Sequence, residues 1–382
     1  MFEAALHGKV AASSTPFVMR NANGHLKLVN RFDAGEIVAS STPKKILIAV
    51  IVILLLAGIG VGIYLYRVSQ PLAGPAAVLG PAPDVLSLIP SNAPVVAFLD
   101  ARALRTTQNS SLQAIGSIML PTPQQDPDYT QFIKNTGFDY SRDLDRTAIA
   151  MWPTQLGAAA SAAGENRTLA IADGRFDQQR IEAYALHVGG HAVKRGALTI
   201  YEVPGKPLVA FEFLSATRVI MASGKNATEL IGNPASTQRD PEMQDRINRV
   251  AGAPLFAVAR TDHLPDSFYA DFNNSPQLLG YIRSIQAITL AGQPQGNDLD
   301  LTLDAECDSM KNAIEIGTLL NGFRMMGSIA LKDPKERGDM TKQQADFLST
   351  LLAKVKVSPQ DKWVRLSIAL TPKMLASAAP SH

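Results

Sequence analysis

The sequence predicts an α+β protein built as one transmembrane helix followed by an external domain of two related halves, each a largely antiparallel sheet with packed helices. Three observations predict this. Residues 46–66 form a charge-free apolar run of 21 residues. Beyond it, short period-two segments alternate with helical patterns of period 3.6. The order of those segments then repeats once along the chain.

The run ILIAVIVILLLAGIGVGIYLY (46–66) lacks any polar face. At about 1.5 Å per residue it spans ~31 Å as a helix, the hydrocarbon thickness of a bilayer. Lys44 and Lys45 close one end, and Tyr64, Tyr66 and Arg67 the other, where amphipathic rings favour the interface. A cleaved signal peptide fits poorly, because the run is long and 45 residues precede it. Lipoprotein processing needs a Cys just after such a run, and the sole Cys is Cys307. Lys9, Arg20, Lys27, Arg31, Lys44 and Lys45 precede the segment, and after Arg67 the next cation is Arg102. The positive-inside bias therefore predicts a single-pass inner-membrane protein with a cytoplasmic N-terminus and residues 68–382 extracytoplasmic. Within the run, Gly58 and Gly62 make a GxxxG pair, a candidate face for homodimer packing through the membrane helix.

The tail, residues 1–45, has no sustained period and is too short for a core, so disorder is expected. Residues 67–88 read as a Pro/Ala/Gly-rich linker, extended at about 3.1 Å per residue. Ten strand segments follow: 95–101, 147–152, 168–173, 197–203, 208–214, 218–222, 255–260, 287–292, 299–307 and 363–370. Asp177 reads as the cap of a helix carrying Ile181, Tyr184 and Val188, and Pro241 opens another helix. Residues 309–326 predict a helix burying Met310, Ala313, Ile314, Gly317, Leu320 and Phe323. Thr341 with Gln344 makes a capping box ahead of Ala345, Leu348, Leu351, Leu352 and Val355.

The repeat emerges when the segments are aligned. The run 93–98 (APVVAF), followed by Leu104, matches 253–258 (APLFAV), followed by Leu264. ADGRFD (172–177) leads into a helix as LDAECD (303–308) does, and 218–230 matches 364–375 in joining a strand to a helix. The halves are placed at 89–235 and 236–382. The anchor, LIPSNAPVVAFLD (88–100) and FIKNTGFDYSRDLDR (132–146) together resemble bacterial single-pass envelope-anchored proteins of unknown function. The resemblance covers the first part of the external domain and implies a bacterial source and a periplasmic domain. It carries no catalytic residue to this chain.

Composition narrows the chemistry. With 36 Lys+Arg against 34 Asp+Glu, the chain is no basic nucleic-acid binder, and one Cys excludes a disulfide framework or a Cys-clustered metal site. The net +2 divides unevenly. The tail holds six cations and three anions, and Arg67 adds a cation, which leaves 29 cations and 31 anions for residues 68–382. Of the six His, only His187 and His191 lie close in sequence, and the intervening Gly-Gly reads as helix end, turn and strand start rather than a ligand pair.

No GxSxG elbow, Walker loop or HExxH is present, and no catalytic residue, metal ligand or cofactor site is predicted. Asp143 and Asp145, flanked by Arg142 and Arg146, read as a salt-bridged turn. The most ordered polar feature is the alternation of Asp298, Asp300, Thr302, Asp304, Glu306 and Asp308 with Leu299, Leu301, Leu303, Ala305 and Cys307. Period two puts these carboxylates on one face, which is either an acidic binding face or the solvated side of a half-covered sheet. The same pattern buries Cys307 as a small core residue. Helix 309–326 could also line a lipid or peptide groove through its Met and Phe side chains.

These features predict a non-catalytic envelope protein. Its partners are the bilayer through residues 46–66 and an envelope protein or lipid bound by the external domain. The alternatives are a membrane-tethered hydrolase using scattered carboxylates and a lipid-handling protein.

Overall fold

The computed structural model describes residues 18–20, 26–28, 84–90, 92–119, 127–153, 167–205, 207–224, 226–232, 240–263, 276–333 and 342–378. The predicted membrane segment, its Gly58 and Gly62, Thr341 of the capping box and most of the linker lie outside the described residues. Contacts divide the chain into two units, residues 1–50 and 51–382. In the first, β1 (Val18–Arg20) pairs antiparallel with β2 (Leu26–Leu28), so the tail expected to be disordered contains a short local ladder.

The second unit is α+β, with twelve strands in a single antiparallel sheet and eleven α-helices among its described residues. A 3-10 turn (Asp84–Leu88) leads into β3 (Val95–Asp100), then α1 (Ala101–Thr106), α2 (Ser110–Met119), α3 (Pro127–Thr136) and α4 (Tyr140–Asp143). After these come β4 (Leu144–Trp152), β5 (Arg167–Gly174) and α5 (Gln178–His187). Four strands continue: β6 (His191–Arg195), β7 (Leu198–Val203), β8 (Val209–Ser215) and β9 (Arg218–Ser223). Next are α6 (Ala227–Gly232), α7 (Pro241–Val250), β10 (Leu255–Arg260), α8 (Pro276–Ser284), β11 (Ile285–Gln295) and β12 (Asp298–Cys307). The chain ends with α9 (Met310–Ala330), α10 (Lys342–Lys354), β13 (Lys356–Gln360), β14 (Trp363–Leu370) and α11 (Pro372–Ala378). The strand order is β13-β14-β12-β11-β10-β3-β4-β5-β9-β8-β7-β6, so the strands of the two sequence halves are continuous.

The two runs matched as a repeat meet at the seam. Leu99, Phe98, Ala97, Val96 and Val95 pair in turn with Leu255, Phe256, Ala257, Val258 and Ala259. A shift of 160 positions, the offset between Ala97 and Ala257, maps this ladder onto itself. Its flanking hydrogen bonds obey the same shift: Asp100 donates to the Pro254 carbonyl at 2.7 Å, and Arg260 to that of Pro94 at 2.8 Å.

Antiparallel partners share a face, so the register sorts the sheet into two sides. Ile171, Ala148, Phe98, Phe256, Ala291 and Thr302 lie on the first, and Ala172, Thr147, Leu99, Leu255, Gly292 and Leu301 on the second. The first side is covered by Val85, by Ala227 and Ile231 of α6, and by Met243, Ile247 and Val250 of α7. Phe98 stacks on Phe256 there at 5.2 Å, worth about 1 kcal/mol beyond area burial. On the second side, α3 and α5 close over an aromatic cluster centred on Phe138 and Phe211. Further along, α2, α10, α11 and α9 cover Leu299, Ile368, Ala305 and Val364.

Helix starts follow the expected capping chemistry. Asp177 accepts from the Arg180 amide, Asp240 from those of Glu242 and Met243 ahead of Pro241, and Ser309 from that of Asn312. Between α5 and β6, Gly189 has φ +91°, and a Cβ on Gly190 would sit 2.6 Å from the Ala185 carbonyl oxygen. The Gly-Gly of HVGGH is thus demanded by a turn too tight for a side chain.

Candidate functional site

The acidic strand β12 lies deep in the second half of the sheet, and its carboxylates have unequal surroundings. Asp304 faces its cross-strand partner Arg365 and accepts from Nε and Nη2, both at 2.7 Å. Glu306 is 5% exposed and lies under α7, where it accepts from Arg246 Nε at 2.7 Å and pairs with Lys362 at the rim. Burial pushes its pKa up, but hydrogen bonds from Lys362 and Arg246 outweigh burial and hold it below the usual carboxylate range. Asp298 and Asp300 are half-buried at the start of the strand and make no salt bridge among the described residues. Asp308 has left the strand: it is exposed and accepts from Asn312 at the start of α9. The alternation thus brings Asp300, Thr302, Asp304 and Glu306 onto one side. Cationic partners from β14, α7 and the β13–β14 turn already occupy its inner end.

The matched position in the other half has the same construction. Asp173 accepts from its cross-strand partner Arg218 at 2.6 and 3.0 Å, again through Nε and Nη2. The alignment of ADGRFD with LDAECD had already placed Asp173 against Asp304.

The remaining candidates are also engaged. Asp143 pairs with Arg142, as the sequence suggested, and also with Arg175 at 3.4 Å. Asp145 pairs not with the adjacent Arg146 but with Arg105 of α1 at 2.9 Å. Neighbours in a strand point to opposite sides, and Arg146 faces its own partner, Asp100. Burial raises the Asp145 pKa, opposed by Arg105 and Arg102. His187 ends α5, while His191 opens β6 and meets its cross-strand partner Glu202 at 3.3 Å. Cys307 is fully buried, and burial, then Asp308 and Glu306, push its thiol up to about 11. No group of three or more His, Cys, Asp or Glu able to hold a metal occurs among the described residues.

Two features were not anticipated. Glu212 of β8 is 7% exposed, and its Oε2 has no hydrogen-bond partner among the described residues. Burial raises its pKa, with a backbone hydrogen bond from Thr199 as the only opposing contribution. Its signal was legible: in LVAFEFL it takes an inward position of the alternation that Ala210 also occupies. The second is Arg246, 5% exposed, whose spacing from Met243, Ile247 and Val250 puts it on the apolar stripe of α7.

Two further features are apolar. A cavity of about 20 Å³ lies between the second side of the sheet and the end of α10, lined by Leu290, Leu301, Leu303, Val355, Leu366 and Ile368. On α9, Met310 and Ile314 are 55% and 50% exposed, against the expectation that they are buried. The buried face instead runs through Ala313, Ile316, Gly317, Leu320 and Gly327, because α9 carries apolar residues on both sides and only one can face the sheet.

Fold and site define an α+β domain on one continuous twelve-stranded antiparallel sheet, with its inward carboxylates largely committed to internal ion pairs. No protein-family model matches the chain, and no curated protein does. Solved structures of TP0453 in crystal forms III, I and IV align with TM-scores of 0.40, 0.39 and 0.41, each at 12% identity. The alignments cover 78, 78 and 77% of this chain and 98, 98 and 96% of the TP0453 chain.

Proposed function

We propose that the protein is a single-pass, membrane-anchored envelope protein whose residues 68–382 form a non-catalytic binding domain outside the cytoplasm. The observation that carries this reading is the commitment of carboxylates to structure. Asp143, Asp145, Asp173, Asp304 and Glu306 each hold an Arg or Lys within 3.4 Å. An acid–base pair instead needs two titratable groups facing shared space, with environments that push their pKa values apart. The anchor, the cationic tail and the Pro-rich linker support the topology. The self-mapping seam and the matched Asp–Arg pairs support descent of halves 89–235 and 236–382 from one duplicated unit.

The cavity under α10 favours a second reading, lipid handling. At about 20 Å³ it admits one water-sized body and no acyl chain, so that reading requires α10 to move.

In vivo crosslinking of the anchored protein, followed by mass spectrometry, tests the proposal. A reproducible envelope protein or lipid partner is expected. Turnover in a hydrolase screen, with no specific partner recovered, overturns it. Protease treatment of intact spheroplasts should remove residues 68–382 and spare the tail; the reverse pattern refutes the topology.

A further inference from the structure

The hairpin β6–β7 is joined to the rest of the sheet by its shortest ladder. Among the described residues β7 pairs with β8 at three positions, Tyr201, Glu202 and Val203, against six between β8 and β9. Leu198, Thr199 and Ile200 have no partner in β8, although β8 runs on past Phe211 to Ser215. The ladder stops where the next antiparallel pair would set Ile200 beside Glu212. There the Thr199 amide bonds to Glu212, and Glu212 Oε2 has no hydrogen-bond partner among the described residues. Glu212 shares its side of the sheet with Ile220 and Ile171, and α6 closes over that side with Ala227 and Ile231.

The other end of the sheet shows the same position uncovered. From Arg218, Ile220 lies two residues on and pairs with Glu212. From Arg365 of the matched Asp–Arg pair, Ser367 lies two residues on and pairs with Lys356 of β13. Lys356 is exposed, whereas Glu212 is 7% exposed. Strand β13 ends the sheet, while β8 carries β7 and β6 beyond it. The hairpin is thus an addition at one end that helps to shut a charged position away from water.

We infer that the hairpin β6–β7 is a proton-gated flap, closed against β8 and α6 while the Glu212 carboxyl is neutral and released from β8 when it is charged. A buried carboxylate with one amide donor is costly, and opening a three-rung ladder hydrates it without unfolding the sheet. The other charged groups on that side are engaged elsewhere or turned to solvent. Glu202 of β7 accepts from Thr228 of α6 and meets His191 of β6 at 3.3 Å. Arg218 of β9 is held by Asp173 of β5. Arg195 of β6 is exposed and runs along α6, its Cδ 3.3 Å from where a Cβ on Gly232 would stand. Glu229 of α6 is exposed. Burial raises the Glu212 pKa and the Thr199 amide opposes it, so the closed form holds the proton and rising pH favours opening. Opening bares the β8 edge at Glu212 and Phe213 with the side chains of Ile200 and Ile220, a surface that the domain withholds at lower pH.

Hydrogen–deuterium exchange of the full chain in detergent micelles, read by mass spectrometry from pH 4.5 to 8 and corrected for intrinsic rates, tests the flap. Protection of residues 198–203 should fall by about 5- to 100-fold across that range, the factor that an uncompensated buried carboxylate implies, while β5 and β9 keep theirs. Glu212→Gln should abolish the fall. A histidine titrates in the same range, so His191→Gln, which removes the imidazole beside Glu202, is the control and should leave the fall intact. Protection lost evenly through β5, β9 and β7 overturns the inference, because the sheet then opens as a whole. Constant protection in the wild type overturns it too, as does a fall that persists in Glu212→Gln or vanishes in His191→Gln.

Discussion

Glu212 offers the sharpest check on the energetics of the sheet. It is 7% exposed, with Oε2 unpartnered among the described residues and a backbone hydrogen bond from Thr199 opposing the cost of burial. Glu212→Gln keeps the shape and an acceptor for the Thr199 amide while removing the ionisable proton. The native pKa is raised above its ordinary value of 4.5, so the native state binds the proton more tightly than the unfolded chain. Stability from that proton is therefore complete below about pH 4.5 and is lost as pH rises through the native pKa. A buried carboxylate oxygen without a partner costs about 1–3 kcal/mol. The variant should match wild type near pH 4 and exceed it by about 1–3 kcal/mol at pH 8. Urea unfolding across that range, followed by circular dichroism, measures the difference. Glu306 titrates in the opposite sense, but it is common to both proteins and cancels. Parallel wild-type and variant curves from pH 4 to 8 would refute the argument, because Glu212 would then have to be solvated.

Arg246→Met should destabilise by about 3 kcal/mol, the low end for breaking a buried pair because Lys362 still reaches Glu306; adding Glu306→Gln should recover part of the loss. The native pKa of Glu306 is depressed, so its stabilisation is present above about pH 4.5 and disappears as pH falls below it, a slope that the double variant should lack. Asp173→Asn should cost more than Asp304→Asn, about 1–2 against under 1 kcal/mol, because Arg218 is 20% exposed and Arg365 54%; the reverse order in urea unfolding counts against the pairing argument. Cys307, with its thiol pushed to about 11, should resist a disulfide reagent at pH 8 until denaturant is added, and stoichiometric native labelling contradicts its burial. Replacing Gly58 and Gly62 with Ile should abolish any dimer that crosslinks through the membrane segment, and an unchanged dimer removes the GxxxG face from consideration.

Each of the ten segments read as a strand overlaps one strand, with Ala101, Ala197 and Leu208 falling just outside. The two strands of the twelve-stranded sheet outside that set, β6 and β13, are its edges. An edge strand needs no buried face, and both carry the Lys, Arg or Pro that discourage further pairing, so the apolar alternation is missing where edges are protected. Helix α9 shows the converse limit. Periodicity located the helix but not its inner side, because Met310 and Ile314 fit an apolar stripe as well as Ile316 and Leu320 do. The acidic alternation gave the correct sidedness for Asp304 and Glu306, yet their partners Arg365, Arg246 and Lys362 are remote or unpatterned in sequence. Local spacing reports which way a side chain points, and only the strand order reports what it meets.

The seam between β3 and β10 shows how one sheet can join two similar runs of unequal sequence. Under the 160-position shift, the pair Phe98–Phe256 exchanges with Val258–Val96. A strictly repeated sequence would put the same residue at 96 and 256, and again at 98 and 258, so each pair would join unlike neighbours. Here one pair is large with large and the other small with small, and the phenyl rings stack at 5.2 Å. Both pairs lie on the first side of the sheet, where the summed volume over the seam matters more than the identity at any one position. The backbone needs less adjustment: Ala97 faces Ala257 on the axis, and the hydrogen bonds to Pro94 and Pro254 remain equivalent within 0.1 Å. Joining the halves here also removes two edges that separate sheets would have to protect. The seam therefore constrains backbone register tightly and side-chain identity loosely.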